Sequence, residues 1–274
     1  MLDFTINKQS CIRCGSCVAD CPARIIAIAD GYPFIPEEKE ATCYKCQHCF
    51  AICPTGSLSI LGLNPAESLV LGDGYPDPVQ LERLIKGRRS VRRYKDENLD
   101  PALFQQLLEV AWHAPTGVNS RQVQFTVLDS KEKTAQFRDE VMSGLGKLVR
   151  ENALPAGKEF YANFVRVWEE HGLDILFRGA PHLIISSVPK RVASPMQDTL
   201  IALSYFELFA QSNGVGTLWD GLLNWVINDL LPETRHTLGI PDDHLIGYAM
   251  VFGYPDIHYT RTVQHTPALI HRAL

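Results

Sequence analysis

No cysteine occurs after residue 53 of this 274-residue sequence, although eight occur between residues 11 and 53. No apolar run is long enough to span a bilayer, and the first ten residues lack the basic and apolar regions of a secretory signal. The net charge of −5 provides no basic surplus for nucleic acid or anionic lipid. We therefore expect a cytoplasmic protein with no membrane or nucleic-acid partner, whose reduced thiols bind metal rather than form disulfides.

The eight cysteines form two runs with the same spacing, C-x2-C-x2-C-x3-C-P. Three thiolates at this spacing bind three corners of an iron–sulfur cube, and in bacterial two-cluster proteins the last cysteine of each run binds the other run's cluster. Structural zinc, the alternative, usually takes two C-x2-C pairs and fits two complete runs poorly. The predicted ligand sets are Cys11, Cys14 and Cys17 with Cys53 for one 4Fe–4S cluster, and Cys43, Cys46 and Cys49 with Cys21 for the other.

The positions of the cysteines also predict the domain organisation. Residues 8–60 resemble a bacterial ferredoxin with two 4Fe–4S clusters, so residues 1–64 are expected to form a small ferredoxin-like domain. Such a short segment has little core, and its stability depends mostly on what the thiolates bind. Residues 65–77 are rich in turn-forming residues and are predicted to be a linker. Residues 78–274 are long enough to form a second complete domain.

Apolar periodicity in the second domain predicts helices and strands in an irregular order. This order indicates a mixed α+β domain rather than regular βαβ winding. No G-x-G-x-x-G follows a first strand, so the pattern does not support a dinucleotide-binding Rossmann unit. The predicted helices cover residues 78–87, 101–112 and 198–214, and the predicted strands cover 123–128, 182–188, 215–219 and 244–253.

A basic segment, RRSVRR, occupies residues 88–93 just after the first predicted helix. Guanidinium groups bind phosphate oxygens bidentately, and the Ser90 hydroxyl adds a donor. A short basic run alone is more often a solvated turn, but two further residues favour a cofactor. Asn119 places an amide on a loop, where it can pair with the edge of a heterocycle. Arg261 follows the last predicted strand, where it can contact a phosphate.

Four motifs in order make residues 78–262 resemble the nitroreductase family of flavoproteins. They are R-x-S at 88–90, APTGVNSRQ at 114–122, GVGTLWDG at 214–221, and GYP at 253–255 followed by a basic residue. The resemblance implies an FMN-dependent, nitroreductase-like domain with a mixed sheet, and a homodimer with FMN at the subunit interface. The FMN-binding residues that it implies are Arg88, Arg89, Ser90, Arg92, Asn119, Arg121, Trp219, Asp220, Gly221 and Arg261.

The loop at 114–122 departs from the family pattern at one of these residues. The family's Gln-Pro pair is replaced here by Arg121-Gln122, so the family pattern does not assign Arg121 to the flavin or to its phosphate. Trp219 is expected to pack against its neighbours rather than stack on a substrate. The resemblance further implies that the backbone amides near Asp220 and Gly221 face N5 of the flavin.

The order of the two domains resembles that of the ferredoxin-fused nitroreductases of anaerobic microbes. It implies an oxidoreductase that passes electrons through two 4Fe–4S clusters to FMN and reduces a nitroaromatic, quinone or enone. The implied donor is a ferredoxin-type protein or NAD(P)H. Two alternatives stay open: an electron carrier for another protein, and a redox sensor whose clusters accept electrons from flavin reduced by NAD(P)H. No catalytic acid or base is assigned, because the flavin carries the chemistry.

A few residues stay outside this assignment. His113 and His182 are expected to cap or pack, since neither has a partner at metal-ligand spacing. Residues 143–177 carry aromatic residues near helical spacing and are predicted to form either a lid over the flavin or part of the core or dimer interface. Asp174 and Arg178 are unassigned.

Overall fold

The computed structural model describes residues 2–72 and 74–273 of the chain. It divides into two compact units, Met1–Tyr75 and Pro76–Leu274. The division falls inside the segment predicted to be a linker. No helix in the described ranges has both the length and the hydropathy that crossing a bilayer requires.

The first unit is built from short strands and single helical turns around a small core of Leu2, Ile25, Ile26, Leu58 and Ile60. Strand β1 pairs antiparallel with β4, and β2 pairs antiparallel with β3. The bounds are β1 Thr5–Ile6, α1 Ser16–Ala19, β2 Ala27–Ala29, β3 Tyr32–Phe34, a 3-10 helix Glu37–Thr42, α2 His48–Ala51, β4 Leu58–Ser59 and a 3-10 turn Pro65–Glu67. Because this core is so small, we still expect the stability of the first unit to depend mostly on bound metal.

The second unit is a four-stranded antiparallel sheet in the order β5-β6-β8-β7, with helices on both faces. The strands are β5 Gln124–Leu128, β6 His182–Pro189, β7 Gly216–Trp219 and β8 His244–Gly253. The helices are α3 Pro78–Gly87, α4 Pro101–Ala111, α5 Lys131–Arg150, α6 Tyr161–His171, α7 Pro195–Ser212, α8 Gly221–Trp225 with a π-helical turn Val226–Leu230, and α9 Thr234–Thr237. The prediction of a mixed α+β domain is confirmed.

Successive side chains of the central strands point to opposite faces of the sheet, which explains why helices pack on both faces. In β6, Leu183 and Ile185 pack with α5 and α6, whereas Ile184 packs with α4 and α7 on the opposite face. Strand β8 alternates in the same way. Since both faces are covered, β6 is buried along its whole length, which is why its sequence is almost continuously apolar.

Helix boundaries follow local capping. The Asp100 carboxylate accepts the N–H groups of Ala102 and Leu103, both at 3.0 Å, and fixes the start of α4 as predicted. Helix α7 begins at Pro195, three residues before the predicted start, because a proline is well suited to the first helical position. Gly214, at φ +72, follows its C-terminal end.

Two sequence-based alternatives are decided by burial. Tyr161 and Val165 of α6 lie in the core, so the core interpretation of residues 143–177 is confirmed at these positions. The ring of His182 is fully buried beside Phe104 and Phe252, and its Nε2 accepts the N–H of Leu99 at 2.9 Å. Burial lowers the pKa of His182 to about 4, so the ring is neutral at pH 7. The packing role predicted for His182 is confirmed.

Candidate cofactor sites

The first unit places its cysteines around two separate cavities. Each cavity is lined by three cysteines of one run and the last cysteine of the other, the same sets that the spacing predicts. One set is Cys11, Cys14, Cys17 and Cys53; the other is Cys21, Cys43, Cys46 and Cys49. None of the eight forms a disulfide.

Matched backbone conformations produce the two cavities. Arg13 and Gly15 in the first run have positive φ, and so do Lys45 and Gln47 at the equivalent positions of the second run. These left-handed residues turn the chain between successive cysteines, so that the thiols face inward. The two runs are thus a structural repeat as well as a sequence repeat.

Neighbouring thiols and backbone N–H groups affect the charge of the cysteines in each cavity. Burial, together with the neighbouring thiolates of Cys21, Cys43 and Cys46, raises the pKa of Cys49 to about 11. Backbone N–H groups of Ser57 and Lys45 donate to the sulfurs of Cys53 and Cys43 at 3.2 and 3.3 Å. Such hydrogen bonds to sulfur are among the features that set the potential of an iron–sulfur cluster.

The arrangement also bears on the choice of metal. In the part of the chain that the structure describes, no three His, Cys, Asp or Glu side chains converge on a single ion position. Tetrahedral zinc needs such convergence, whereas an iron–sulfur cube separates its ligands over different irons. Four cysteines from both runs line each cavity, which is the donor set that a 4Fe–4S cluster takes.

In the second unit, residues 88–94 run alongside the edge strand β7. Ser90 and Thr217 form a parallel bridge, and the N–H of Val91 donates to the carbonyl of Thr217 at 2.9 Å. Gly216 makes this approach possible, because a Cβ at that position would lie 2.6 Å from a methyl group of Val91. The basic segment is therefore held on the sheet rather than free in solvent.

The arginines of this segment have different surroundings. Arg88 donates to the carboxylate of Glu207 at 3.1 Å, and that carboxylate also accepts the hydroxyl of Thr217 at 3.1 Å. Arg92, by contrast, lines an open cavity at the end of β7. Arg89 is half-buried, and the structure gives it no place on that cavity. The structure thus places Arg88 in an internal ion pair, and Arg92 is the arginine of the segment that reaches the cavity.

This cavity, of about 410 Å³, also contains the predicted residues Trp219, Asp220 and Gly221. The N–H of Asp220 is already donated to the carbonyl of Ala249 at 2.9 Å, which leaves the Gly221 amide as the donor of the pair. A Cβ at Gly221 would lie 2.8 Å from the hydroxyl of Tyr248, so a larger residue would crowd the cavity. The ring of Trp219 packs edge-on against Tyr248, as its expected packing role requires.

Asp220 is an unusual carboxyl group for such a position. Only 3% of the residue is exposed; Oδ1 accepts the N–H of Leu223 at 2.9 Å, and Oδ2 has no hydrogen-bond partner among the described residues. Burial raises the pKa of Asp220 to about 7; Asp174 adds to the increase, and Arg178 opposes it. The group therefore changes charge near neutral pH.

Asn119 and Arg121 lie elsewhere in the unit, on the loop that leads into β5 at the opposite edge of the sheet. Residues 118, 119 and 121 all have positive φ. Asp198 of α7, 2% exposed, accepts the N–H of Gly117 at 2.8 Å and the hydroxyl of Ser120 at 3.3 Å. This buried carboxylate holds the strained loop, and the sequence analysis did not identify it.

Arg121 is fixed within the same loop. Its guanidinium donates to the carbonyls of Ala114 and Trp112 and lies over the Trp112 ring, 4.7 Å from the centroid. Arg261 is in the exposed segment after β8, where the hydroxyl of Tyr259 donates to the carbonyl of Ser90 at 3.4 Å. Within one chain, then, Arg92, Trp219, Asp220 and Gly221 share a cavity that Asn119 and Arg121 do not join.

Among the cavity residues that were not assigned from sequence, three carry aromatic or charged side chains. Tyr248 comes from the middle of β8, Trp225 ends α8, and Arg178 lies on the loop before β6. None belongs to a motif, because the pairing of β7 with β8 and the packing of the loop against α8 bring them together only in the folded chain.

Comparison with known proteins identifies two regions. Residues 85–254 match the model of the nitroreductase family, and residues 10–58 match the model of a 4Fe–4S dicluster domain. A Methanothermobacter thermautotrophicus protein named for NADH dehydrogenase or NAD(P)H nitroreductase activity is 26% identical over 188 residues, which are 67% of this chain and 81% of the relative.

Solved structures agree. A nitroreductase with bound FMN from Bacteroides fragilis superposes with a TM-score of 0.56 at 23% identity, covering 70% of this chain and 99% of the other. One from Desulfitobacterium hafniense, also with bound FMN, gives a TM-score of 0.52 at 25% identity, with 69% and 94% coverage. These likenesses show the fold of the second unit.

Proposed function

This chain belongs to the nitroreductase family and carries a 4Fe–4S dicluster domain ahead of its family domain, and from this we propose the following function. The protein is an FMN-dependent iron–sulfur oxidoreductase that conducts electrons through two clusters to the flavin and delivers them to an organic acceptor. The acceptor is of the nitroaromatic, quinone or enone class. The observation that carries the proposal is the sorting of eight cysteines into two four-thiol cavities, each shared between the runs.

When bound, the clusters supply one-electron transfer, and FMN supplies exchange between one-electron and two-electron chemistry. The chain's own residues hold these groups in place. The predicted ligands of one cluster are Cys11, Cys14, Cys17 and Cys53, and those of the other are Cys21, Cys43, Cys46 and Cys49. The amides that donate to Cys43 and Cys53 stabilise the thiolate charge.

The cavity of the second unit has features that suit a flavin. The Gly221 amide provides a donor, Arg92 provides a cation, and the absent side chain of Gly221 leaves room beside Tyr248. Ser90, on the segment held against β7, is proposed to contact the phosphate with Arg89, Arg92 and Arg261. Arg88 contributes by holding that segment through Glu207.

The position of Asn119 supports the homodimer that the family resemblance implied. The Asn119 loop and the cavity lie at opposite edges of a four-stranded sheet, and three steps of about 4.8 Å separate the edges by roughly 14 Å. Within one chain, Asn119 is not among the residues that line the cavity. We propose that Asn119 of one subunit completes the flavin site of the other, with Arg121 fixing the loop.

Anaerobic rapid mixing tests the proposal. The holoprotein is mixed with NADH, NADPH or a reduced ferredoxin, and bleaching of the flavin is followed separately from absorbance of the clusters. Fast flavin reduction by ferredoxin, followed by oxidation with a nitroaromatic or quinone, is the expected result. Flavin that no small acceptor reoxidises, but that a partner protein does, would instead indicate an electron carrier.

A further inference from the structure

The cavity of the second unit carries a second arginine, Arg178, on the loop between α6 and β6. Asp174 holds this loop: its Oδ1 accepts the N–H of Phe177 at 2.8 Å, and its Oδ2 accepts the N–H of Gly179 at 3.0 Å. Arg178 itself has φ +59, a left-handed conformation that disfavours a residue with a side chain. Backbone strain of this kind persists where the surrounding structure enforces it, and it is concentrated at functional sites.

The loop is locked in place on the core side as well. Leu176 and Phe177 are buried in the main core, and Ala180 follows them there. The backbone at Arg178, and with it the direction of the Cα–Cβ bond, is therefore held by buried neighbours on both sides.

Arg178 has no hydrogen bond or ion pair within the described ranges of the chain, unlike Arg88, which is paired with Glu207. The charged groups that face it are few. Arg92 adds a second positive charge to the cavity, and both carboxylate oxygens of Asp174 are occupied by backbone N–H groups. The carboxyl group on the cavity wall is that of Asp220, whose burial raises its pKa to about 7 and so leaves it only partly charged at neutral pH. The cavity is accordingly net positive.

Three aromatic rings also line the cavity. Trp219 and Tyr248 pack edge-on with centroids 5.3 Å apart, and Trp225 at the end of α8 is 43% exposed. The ammonium of Lys158 lies 3.1 Å from the centroid of the Trp225 ring, so the ring is held from outside the cavity. Such faces bind flat aromatic ligands, while a guanidinium binds a carboxylate through two parallel hydrogen bonds.

We propose that this cavity selects planar aromatic carboxylates, with the Arg178 guanidinium pairing with the carboxylate and the rings of Trp225 and Tyr248 contacting the ring of the ligand. The inference names the class of acceptor and rests on the proposed function. Arg92 is left for the cofactor, because it belongs to the segment that also carries Ser90.

Two ligands of one shape test this inference: 4-nitrobenzoate and its neutral analogue 4-nitrobenzamide. Their dissociation constants are measured by calorimetry on the oxidised holoprotein at pH 7.5, for the wild type, Arg178→Gln and Arg178→Lys. Arg166→Gln is the matched control, since Arg166 is an exposed arginine of α6 that pairs with Glu170. FMN content is measured for every sample.

We expect the wild type and the control to bind the benzoate at least tenfold more tightly than the benzamide. Arg178→Gln should reduce that preference to less than twofold with the benzamide constant and FMN content unchanged, and Arg178→Lys should retain part of it. A wild type without the preference, an Arg178→Gln variant that keeps it, or loss of FMN from that variant would each overturn the inference. Turnover is assayed separately with both nitro compounds, a quinone and an enone: if the preference is present but none of these is reduced, the proposed function fails while the binding inference stands.

Discussion

At the scale of single residues, the protonation of Asp220 makes the stability of the protein depend on pH. In the unfolded chain its carboxyl group has an ordinary pKa near 3.8, and in the folded chain the pKa is about 7. Between these values the unfolded state loses its proton while the folded state keeps it. Stability from this group is therefore greatest below about pH 4, falls as the pH rises, and levels off above about pH 7.

Asp220→Asn tests this dependence. The amide oxygen still accepts the N–H of Leu223, but the side chain no longer titrates. We expect the thermal midpoint of the variant to rise relative to the wild type as the pH increases from 5.5 to 8. The measurement is circular dichroism melting at four pH values, with exposed Asp139→Asn as control. A difference independent of pH would show that Asp220 does not titrate in this range.

Arg88 and Arg92 are close in sequence but should respond differently to substitution. Arg88→Gln leaves the carboxylate of Glu207, 7% exposed, without its cation, and we expect a loss of about 2 kcal/mol in the free energy of unfolding. Arg92→Gln removes an exposed cavity cation and should weaken FMN binding about tenfold with little change in the stability of the FMN-free protein. Denaturant titration and fluorimetric FMN binding separate the two outcomes. Equal FMN loss with unchanged stability in both variants would return Arg88 to the phosphate site.

At the scale of elements, the contact between residues 88–94 and β7 depends on one glycine. Gly216→Ala would place its Cβ 2.6 Å from a methyl group of Val91, so the segment must move away from the strand. We expect this variant to melt at a lower temperature and to release FMN, because Ser90 and Arg92 lie on the displaced segment. Melting curves and FMN content measure the two effects.

A second substitution serves as the control for the glycine variant. Val91→Gly removes the Cβ and both methyl groups that collide with the new Cβ, and the double variant Gly216→Ala/Val91→Gly should recover most of the FMN content. No recovery in the double variant would show that the glycine is needed for another reason.

The elements themselves could largely be predicted from sequence, and the reasons are physical. Strands β6 and β8 are covered on both faces, so each has an apolar run from which a strand can be predicted. The start of α4 can be predicted from Asp100 as the N-cap and Pro101 as the first helical residue. Gly216 and Gly221 lie in a motif that the family resemblance identified. Each of these features depends on residues that are close together in the sequence, so it can be recognised without a structure.

The residues whose roles were not predicted are those whose contacts lie far away in the sequence. Asp198 reaches Gly117 across 81 residues of sequence. Arg178 reaches the cavity because Asp174 bends its loop, and neither residue stands at a diagnostic spacing. Arg88 matched the phosphate motif, and its ion pair with Glu207, 119 residues away, was not visible from the motif alone.

At the scale of the whole molecule, the cysteine sets predict which substitutions behave alike. Cys21 belongs to the first run but lines the cavity of the second, together with Cys46. We expect Cys21→Ser and Cys46→Ser to shift the reduction potential of the same cluster, and Cys17→Ser to shift that of the other. Redox titration followed by electron paramagnetic resonance provides the measurement.

The outcome that contradicts this prediction is equally specific. If Cys21→Ser and Cys17→Ser alter one cluster and Cys46→Ser alters the other, each run binds its own metal. All three proteins should keep their full FMN content, because these cysteines belong to the first unit.

The exchange of Cys21 and Cys53 between the runs has a consequence for the biogenesis of the protein. Neither four-thiol cavity can be completed by a nascent chain that has folded only one run, so both metal sites become available at the same stage of folding. Loss of the metal from one cavity likewise frees a cysteine of the opposite run.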